Sequence, residues 1–340
     1  MSPSEGKQPN HVEYDPSGLA EIPVTYQAII DHFRGAGQVN PYLLRKKTIL
    51  RIERITGRPL LCYVTKTQGL LPGIPAYVDH FDLIGFGDLI HSIPTPSVDI
   101  FIISNGGSAE TAERIVRLIR SAFNEVRFIV PHNAYSAATL MCFSGDELLM
   151  DRQGTLGPID PQINGVPARA IIRAFEQVEE RLKKEGPQAL TAYMPLLAKY
   201  DLHLLEICKS AQEMSKELAK EWLSTYMLRC GEEEPHLAEV VEFFSSYDTH
   251  KSHGRSIDRE RARELGLPVV YPESIEGLGD LIRSLHNQFE FFFDQTAFYK
   301  LFENAHGITW GRQMVPIQVP MMAPGPLDSA PLPGSPGPSG

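Results

Sequence analysis

The stretch VDIFIISNGGSAETAERIVRLI, residues 98–119, sets the reading of the whole chain. Val98–Ile103 is a short, nearly unbroken apolar run that ends at Ser104-Asn105-Gly106-Gly107. A run of that length bounded by turn residues predicts a buried strand. Beyond it Ala112, Ile115, Val116 and Ile119 recur at helical spacing, which predicts a helix with those four residues on one face. Strand, tight turn and helix in succession are the unit from which parallel sheets are built. The two adjacent glycines leave their backbone N–H groups unscreened and free to adopt positive φ. The pair therefore fits either a turn that points donors at a developing oxyanion or an ordinary tight connection.

The unit recurs in both directions. Val126–Val130 reads as a strand, Ala137–Phe143 as a short helix and Glu147–Met150 as another strand. Upstream, Thr48–Ile52 and Leu60–Thr65 are β-rich, and Thr56-Gly57-Arg58-Pro59 between them reads as a hairpin connection. Tyr77–Ile93 has helical periodicity. Two longer helices follow near 168–185 and 203–229. A final one is expected near 257–265, with Ser256 as N-cap and Gly266 and Pro268 as its stop. The expected architecture is α/β, with a largely parallel sheet and an added helical segment. Residues 1–22 read as a flexible lead, 23–310 as the folded domain and 311–340 as a tail. From Pro316 onward that tail carries eight prolines among glycine and serine, too little apolar content to build a core.

Composition narrows the function. A length of 340 residues favours one large α/β domain with appendages, and 42% hydrophobic with 22% charged residues excludes disorder of the chain as a whole. A net charge of −10 and a pI near 5.6 argue against a duplex nucleic-acid binder and against docking on an anionic membrane. No apolar run is long enough to insert into a bilayer, and Met1–Pro23 lacks the basic and apolar regions of a signal peptide. Cys62, Cys142, Cys208 and Cys230 lie far apart, which suits a reduced cytoplasm better than a disulfide framework or a zinc site. Neither a metal nor a cofactor is expected.

Three further segments carry chemistry. In Pro131–Thr139, Ser136 stands where a strand ends and a helix begins, followed by Ala137 and Ala138, which leave room for a substrate backbone. A helix N-terminus stabilises an alkoxide, and it equally attracts a plain N-cap serine. The segment lacks the Gly-x-Ser-x-Gly elbow of α/β-hydrolases. In Gly154–Gln162, Asp160 is held between Ile159 and Pro161 on a stiff loop, where it can orient a histidine or cap a turn. In Thr249–Ser256, His250 and His253 lie in a loop, suited to a general base or to loop packing.

In this order and spacing the four segments resemble the ClpP/crotonase superfamily. More closely they resemble the serine dehydrogenase proteinase family, relatives of signal peptide peptidase A. The matching text is Ile102-Ile103-Ser104-Asn105-Gly106-Gly107, Ala134-Tyr135-Ser136-Ala137-Ala138-Thr139, Gly157-Pro158-Ile159-Asp160-Pro161-Gln162 and His253-Gly254, within residues 48 to 270. The resemblance implies a ClpP/crotonase-like repeated ββα spiral and an ATP-independent serine endopeptidase. It assigns the nucleophile to Ser136 and oxyanion donors to Gly106, Gly107 and Ala137. ClpP places its histidine in the loop that here reads Gly157 to Pro161, where this chain has none. The closer family's order, Ser then Asp then His, matches Ser136, Asp160 and His253, and a triad is defined by geometry rather than chain order. The resemblance also implies a polypeptide substrate and a homo-oligomer.

The signal peptide peptidase branch offers a Ser–Lys dyad instead, which needs a desolvated lysine. Lys183 and Lys184 lie about 100° and 200° from Leu182 on a helix whose apolar face is Ile171, Phe175, Val178 and Leu182. Lys209 is about 200° from Ile207, on a helix expected to bury Ile207, Ala211, Met214 and Leu218. All three point away from apolar faces. A crotonase-like acyl-CoA enzyme needing no nucleophilic serine, and a catalytically silent scaffold, are the alternative functions.

Overall fold

The computed structural model describes residues 22–35, 40–198 and 203–314. The expected lead before Ile22 and the tail after Met314 lie outside the described residues. Both expected boundaries shift slightly. Ile22 is buried in the core, and the last strand runs to Gln313.

Two helices, α1 (Tyr26–Gly35) and α2 (Pro41–Thr56), open the chain. The stretch Thr48–Ile52, expected as a strand, lies inside α2, so there is no hairpin at Thr56–Pro59. Leu44, Thr48, Ile49 and Ile52 are buried along one helical face. Asn40 caps the start by accepting the Tyr42 N–H at 3.0 Å, Pro41 occupies the first turn, and Gly57 ends the helix at φ 71°. The run of β-branched residues is real, but five residues do not separate a buried strand from one face of a longer helix.

The central units follow in the expected rhythm: β1 (Leu60–Thr65), α3 (Asp82–His91), β2 (Ser97–Ile103), α4 (Ala109–Ala122), β3 (Glu125–Val130), β4 (Asn133–Ala134), α5 (Ala137–Phe143) and β5 (Glu147–Met150). Helix α3 covers only part of the periodic stretch Tyr77–Ile93. Then come β6 (Thr155–Leu156), the hairpin β7 (Gln162–Ile163) and β8 (Val166–Pro167), and the helices α6 (Ala168–Glu185), α7 (Leu190–Leu197) and α8 (His203–Trp222). After α9 (Pro235–Ser245) and α10 (Tyr247–His250), β9 (Ile257–Asp258) leads into α11 (Arg259–Glu264). The cap of α11 is Asp258, whose side chain accepts the Arg261 N–H at 2.8 Å, rather than Ser256. The chain continues through β10 (Val269–Val270), α12 (Leu278–Gln295), β11 (Phe298–Glu303) and β12 (Thr309–Gln313).

Seven strands form the main sheet in the order β10-β5-β3-β2-β1-β11-β12. The first five run parallel, and β11 and β12 add antiparallel at one edge. Both faces are covered, which is why its central strands read as continuous apolar runs. In β1, Leu61 and Tyr63 face the core that also holds α3, α4 and α5 residues. Leu60, Cys62 and Val64 face the core under α2 and α12. The fold is α/β with a largely parallel sheet, as expected.

A second sheet of three short strands, β4-β6-β9, positions the site. Strand β4 pairs parallel with β6, and β6 pairs antiparallel with β9. The end of β2 joins through a bridge between Ser104 and Ala134. Ser136 follows β4, Asp160 follows β6, His253 precedes β9, and the diglycine turn follows β2. Six paired residues thus draw together four segments spread over about 150 positions of sequence.

Candidate active site

Ser136 is the first point of interest because its backbone is strained. Its φ of 52° and ψ of −120° lie outside the regions that a residue with a Cβ ordinarily adopts. Holding such a conformation costs about 1–3 kcal/mol and persists only where the surroundings enforce it. One restraint is Thr139, whose hydroxyl bonds the Ala134 carbonyl at 2.6 Å and accepts the Gly157 N–H at 3.0 Å. Although Ser136 stands at the N-terminus of α5, its side chain makes no capping hydrogen bond. The plain N-cap reading of this serine therefore fails, and its half-buried hydroxyl faces a cavity.

The diglycine turn lies against it. A Cβ on Gly106 (φ 93°) would come within 2.4 Å of the Tyr135 carbonyl oxygen and 2.6 Å of the Ser136 Cβ, so only glycine permits this approach. On the far side, a Cβ on Gly107 would meet the Val78 backbone at 2.4 Å. Two N–H groups expected together at an oxyanion have separate fates here. The Gly106 N–H donates to the Ser104 hydroxyl at 3.1 Å and is committed. The Gly107 N–H takes no part in the bridge to Val78, which uses the Val78 N–H to Gly106 C=O (2.7 Å) and the Ser108 N–H to Val78 C=O (3.0 Å). Ala137, as the first residue of α5, has an N–H with no intrahelical partner. Of the three backbone N–H groups expected as donors, those of Gly107 and Ala137 are thus not taken by these bonds. Asn105 steadies the turn by donating to the Thr67 carbonyl at 3.1 Å and accepting from Asn133 at 2.7 Å.

Asp160 and His253 meet across 93 residues of sequence, with His253 Nδ1 at 2.9 Å from Asp160 Oδ1. The carboxylate is 1% exposed, fixed by the Ile159 N–H to Phe244 C=O bond (2.8 Å) and the Ala168 N–H to Pro161 C=O bond (2.9 Å) on either side. A carboxylate only accepts, so Nδ1 donates this bond, and in the neutral imidazole Nε2 is the nitrogen with the free lone pair. Among the described residues the second oxygen of Asp160 has no hydrogen-bond partner. His250, the other histidine of this loop, is packed elsewhere. Its Nε2 lies 2.6 Å from the Phe243 carbonyl, its ring rests edge-on against Phe243, and burial pushes its pKa down.

Ser136, Gly106, Gly107, Ala137 and His253 line one cavity of about 720 Å³. Its remaining wall is largely apolar, from Tyr77, Leu140, Ile159, Ile163 and Met214. Among the described residues no hydrogen bond joins Ser136 to His253, and such bonds often form only when substrate is present. The helical wall differs from expectation in that Ile207 is 52% exposed. Cys208, Ser215, Leu218, Ala219 and Trp222 are the buried residues of α8.

None of the three candidate dyad lysines lines this cavity. Lys183 is exposed and bonded to Glu179 at 2.6 Å, and that bond holds its pKa above the usual lysine range, the wrong direction for a base. Lys184 and Lys209 are exposed. One lysine that sequence reading passes over, Lys300, is fully buried, but it is bonded to Asp82 and lies behind the diglycine turn rather than in the cavity.

Residues 43–225, more than half of the chain, match the family described as ClpP-like SDH-type serine proteinase. Two uncharacterized proteins of Methanocaldococcus jannaschii are similar. One is 30% identical over 189 residues, covering 55% of this chain and 58% of the relative. The other is 27% identical over 187 residues, covering 53% and 64%. The chain thus spans about three fifths of the length of these curated relatives. Among solved structures, two mutants of the 1510-N membrane-bound stomatin-specific protease, one in complex with a substrate peptide, are 18% and 19% identical. Each aligns with a TM-score of 0.34 over 57% of this chain and 74% or 70% of its own. A ClpP1 mutant from Listeria monocytogenes is 11% identical, with a TM-score of 0.35 over 66% of this chain and 96% of its own. No helix among the described residues is long and apolar enough to cross a membrane.

Proposed function

The chain belongs to the ClpP-like SDH-type serine proteinase family, and from that premise we propose that it is an ATP-independent serine endopeptidase acting through an acyl-enzyme on Ser136. The observation that carries the proposal is the shared cavity. An uncapped serine hydroxyl, two amide donors and an imidazole backed by a buried carboxylate all face one space.

In this reading the Ser136 oxygen attacks the scissile carbonyl carbon while His253 Nε2 takes the hydroxyl proton. Asp160 holds the imidazole in the tautomer that can do so and stabilises the imidazolium that forms. Negative charge collects on the carbonyl oxygen, where the Gly107 and Ala137 N–H groups receive it. Collapse of the tetrahedral species breaks the C–N bond, and His253 returns its proton to the leaving amine. Water then attacks the ester by the same route in reverse, releasing the acid and restoring Ser136. The apolar wall suits an unfolded or small polypeptide, whose side chains it can bury. We also propose self-association, for which Val166, Leu190, Met194 and Ile207 offer exposed apolar surface.

The test is hydrolysis of unfolded casein without nucleotide by wild type, Ser136→Ala, His253→Ala and Lys183→Ala. Wild type and Lys183→Ala are expected to cleave at equal rates, and the serine and histidine variants to lose activity by at least about 10³-fold. Cleavage by Ser136→Ala at the wild-type rate would end the acyl-enzyme reading. An inactive wild type that turns over an acyl-CoA thioester would favour crotonase-like chemistry instead.

A further inference from the structure

We propose that Lys300 is a positioning residue that aims and polarises the Gly107 N–H from behind the cavity wall. The proposal rests on the peptidase reading, which makes that N–H an oxyanion donor.

Lys300 lies in β11 opposite Thr65 of β1 and is 0% exposed. Its ammonium donates to Asp82 Oδ1 at 2.5 Å and to the Tyr77 carbonyl at 2.8 Å, with Asp79 Oδ2 at 3.5 Å. The Tyr77 carbonyl and the Val78 N–H belong to one planar trans peptide, so they point in opposite directions. The Val78 N–H donates to the Gly106 carbonyl at 2.7 Å. That carbonyl and the Gly107 N–H form the two ends of a second such unit. Two peptide dipoles are thus linked head to tail, with a buried cation at one end and the Gly107 N–H at the other. Each bond in such a series strengthens the next, so the ammonium both fixes the plane of the Gly106-Gly107 peptide and sharpens its donor.

A second route from the same ion pair reaches the same turn. The Gly106 N–H donates to the Ser104 hydroxyl at 3.1 Å, the Ser104 side chain acts on the Tyr63 hydroxyl, and Tyr63 donates to Asp82 Oδ2 at 2.7 Å. This route ends on the carboxylate partner of Lys300. Burial raises the Tyr63 pKa well above the usual phenol range, and the Asp82 carboxylate beside it pushes the same way, so the hydroxyl stays a donor. A fully buried ion pair contributes little to stability compared with apolar residues of similar size. Holding a turn to the tolerance that catalysis requires is a role that apolar packing does not fill, because displacement of about 1 Å can cost a hundredfold in rate.

The test pairs kinetics with a signal that needs no turnover. The variant is Lys300→Met with Asp82→Asn, so that no buried charge is left alone. In glycine-labelled ¹⁵N protein the Gly107 amide proton is expected to move upfield. With a casein-derived fluorogenic peptide, kcat is expected to fall on the order of 10- to 100-fold while KM stays within about twofold. If that variant does not fold, Tyr63→Phe cuts the second route alone and is expected to lower kcat several-fold with KM unchanged. Folded variants that keep both the wild-type kcat and the wild-type Gly107 resonance would overturn the proposal. A wild type that hydrolyses nothing removes the peptidase reading instead, with the Gly107 resonance still readable.

Discussion

Two buried carboxylates flank the diglycine turn and Ser136, and their surroundings are opposite. Asp82 is 0% exposed, and both of its oxygens are bonded. One takes the Lys300 ammonium, and the other takes the Tyr63 hydroxyl at 2.7 Å and the Asp79 N–H at 3.1 Å. Asp160 is 1% exposed, yet among the described residues its one hydrogen-bond partner is His253, and its second oxygen accepts no bond. Desolvation raises the Asp82 pKa, while the Lys300 ammonium and the hydrogen bonds to Tyr63 and Asp79 pull against it. A fully bonded carboxylate anchors strands and loops. One with an unfilled oxygen carries a desolvation cost of about 1–3 kcal/mol that the rest of the fold must offset. In the proposed mechanism Asp160 gains capacity: when the imidazole takes a proton, the carboxylate beside it stabilises the new charge without rearranging.

The contrast predicts opposite mutational signatures. In Asp160→Asn, kcat for peptide hydrolysis should fall by about 10⁴-fold, because an amide no longer selects the tautomer that frees Nε2. Its urea midpoint should stay near wild type. In Asp82→Asn, unfolding free energy should fall by about 3 kcal/mol, since Lys300 is left buried with a neutral partner. Activity per folded molecule should fall far less than in the Asp160 variant. Equal destabilisation of the two variants, measured by urea titration, would erase the distinction between anchor and catalytic reserve.

A smaller effect probes the joint between the serine segment and the Asp160 loop. Thr139→Val removes the hydroxyl that bonds Ala134 C=O and Gly157 N–H, and should cost about 1–2 kcal/mol in the same titration. The loss of activity should be modest and should follow the loss of register between the two segments. No change in stability would mean that the β4–β6 pairing alone holds them together.

The two regions also differ in how far sequence exposes them. Ser136, the diglycine turn and the Asp160 loop are local signals, made of small residues and prolines next to apolar runs. They are readable because backbone constraints act over a few residues. The Tyr63–Asp82–Lys300 network is not readable, since 218 positions separate the ion pair and only the antiparallel addition of β11 to β1 brings it together. The commitment of the Gly106 N–H to Ser104 is hidden for a different reason: the two residues are neighbours in sequence, but which way the serine hydroxyl turns leaves no mark on the pattern. Helix α2 was legible through its ends, Asn40-Pro41 and Gly57, more than through its β-branched middle. Helix α12 carried its own signal in Leu278, Leu281, Ile282, Leu285 and Phe289, spaced for one face. The cap of α11 is displaced from Ser256 to Asp258 because Ile257 and Asp258 first pair with β6, a tertiary demand with no local mark.

The most direct test of the account is to expose the folded protein to a fluorophosphonate and map the adduct by intact mass and peptide sequencing. One adduct per chain is expected, on Ser136, absent from Ser136→Ala and formed much more slowly by His253→Ala. A folded wild type that stays unmodified, or an adduct carried on another serine, would contradict it.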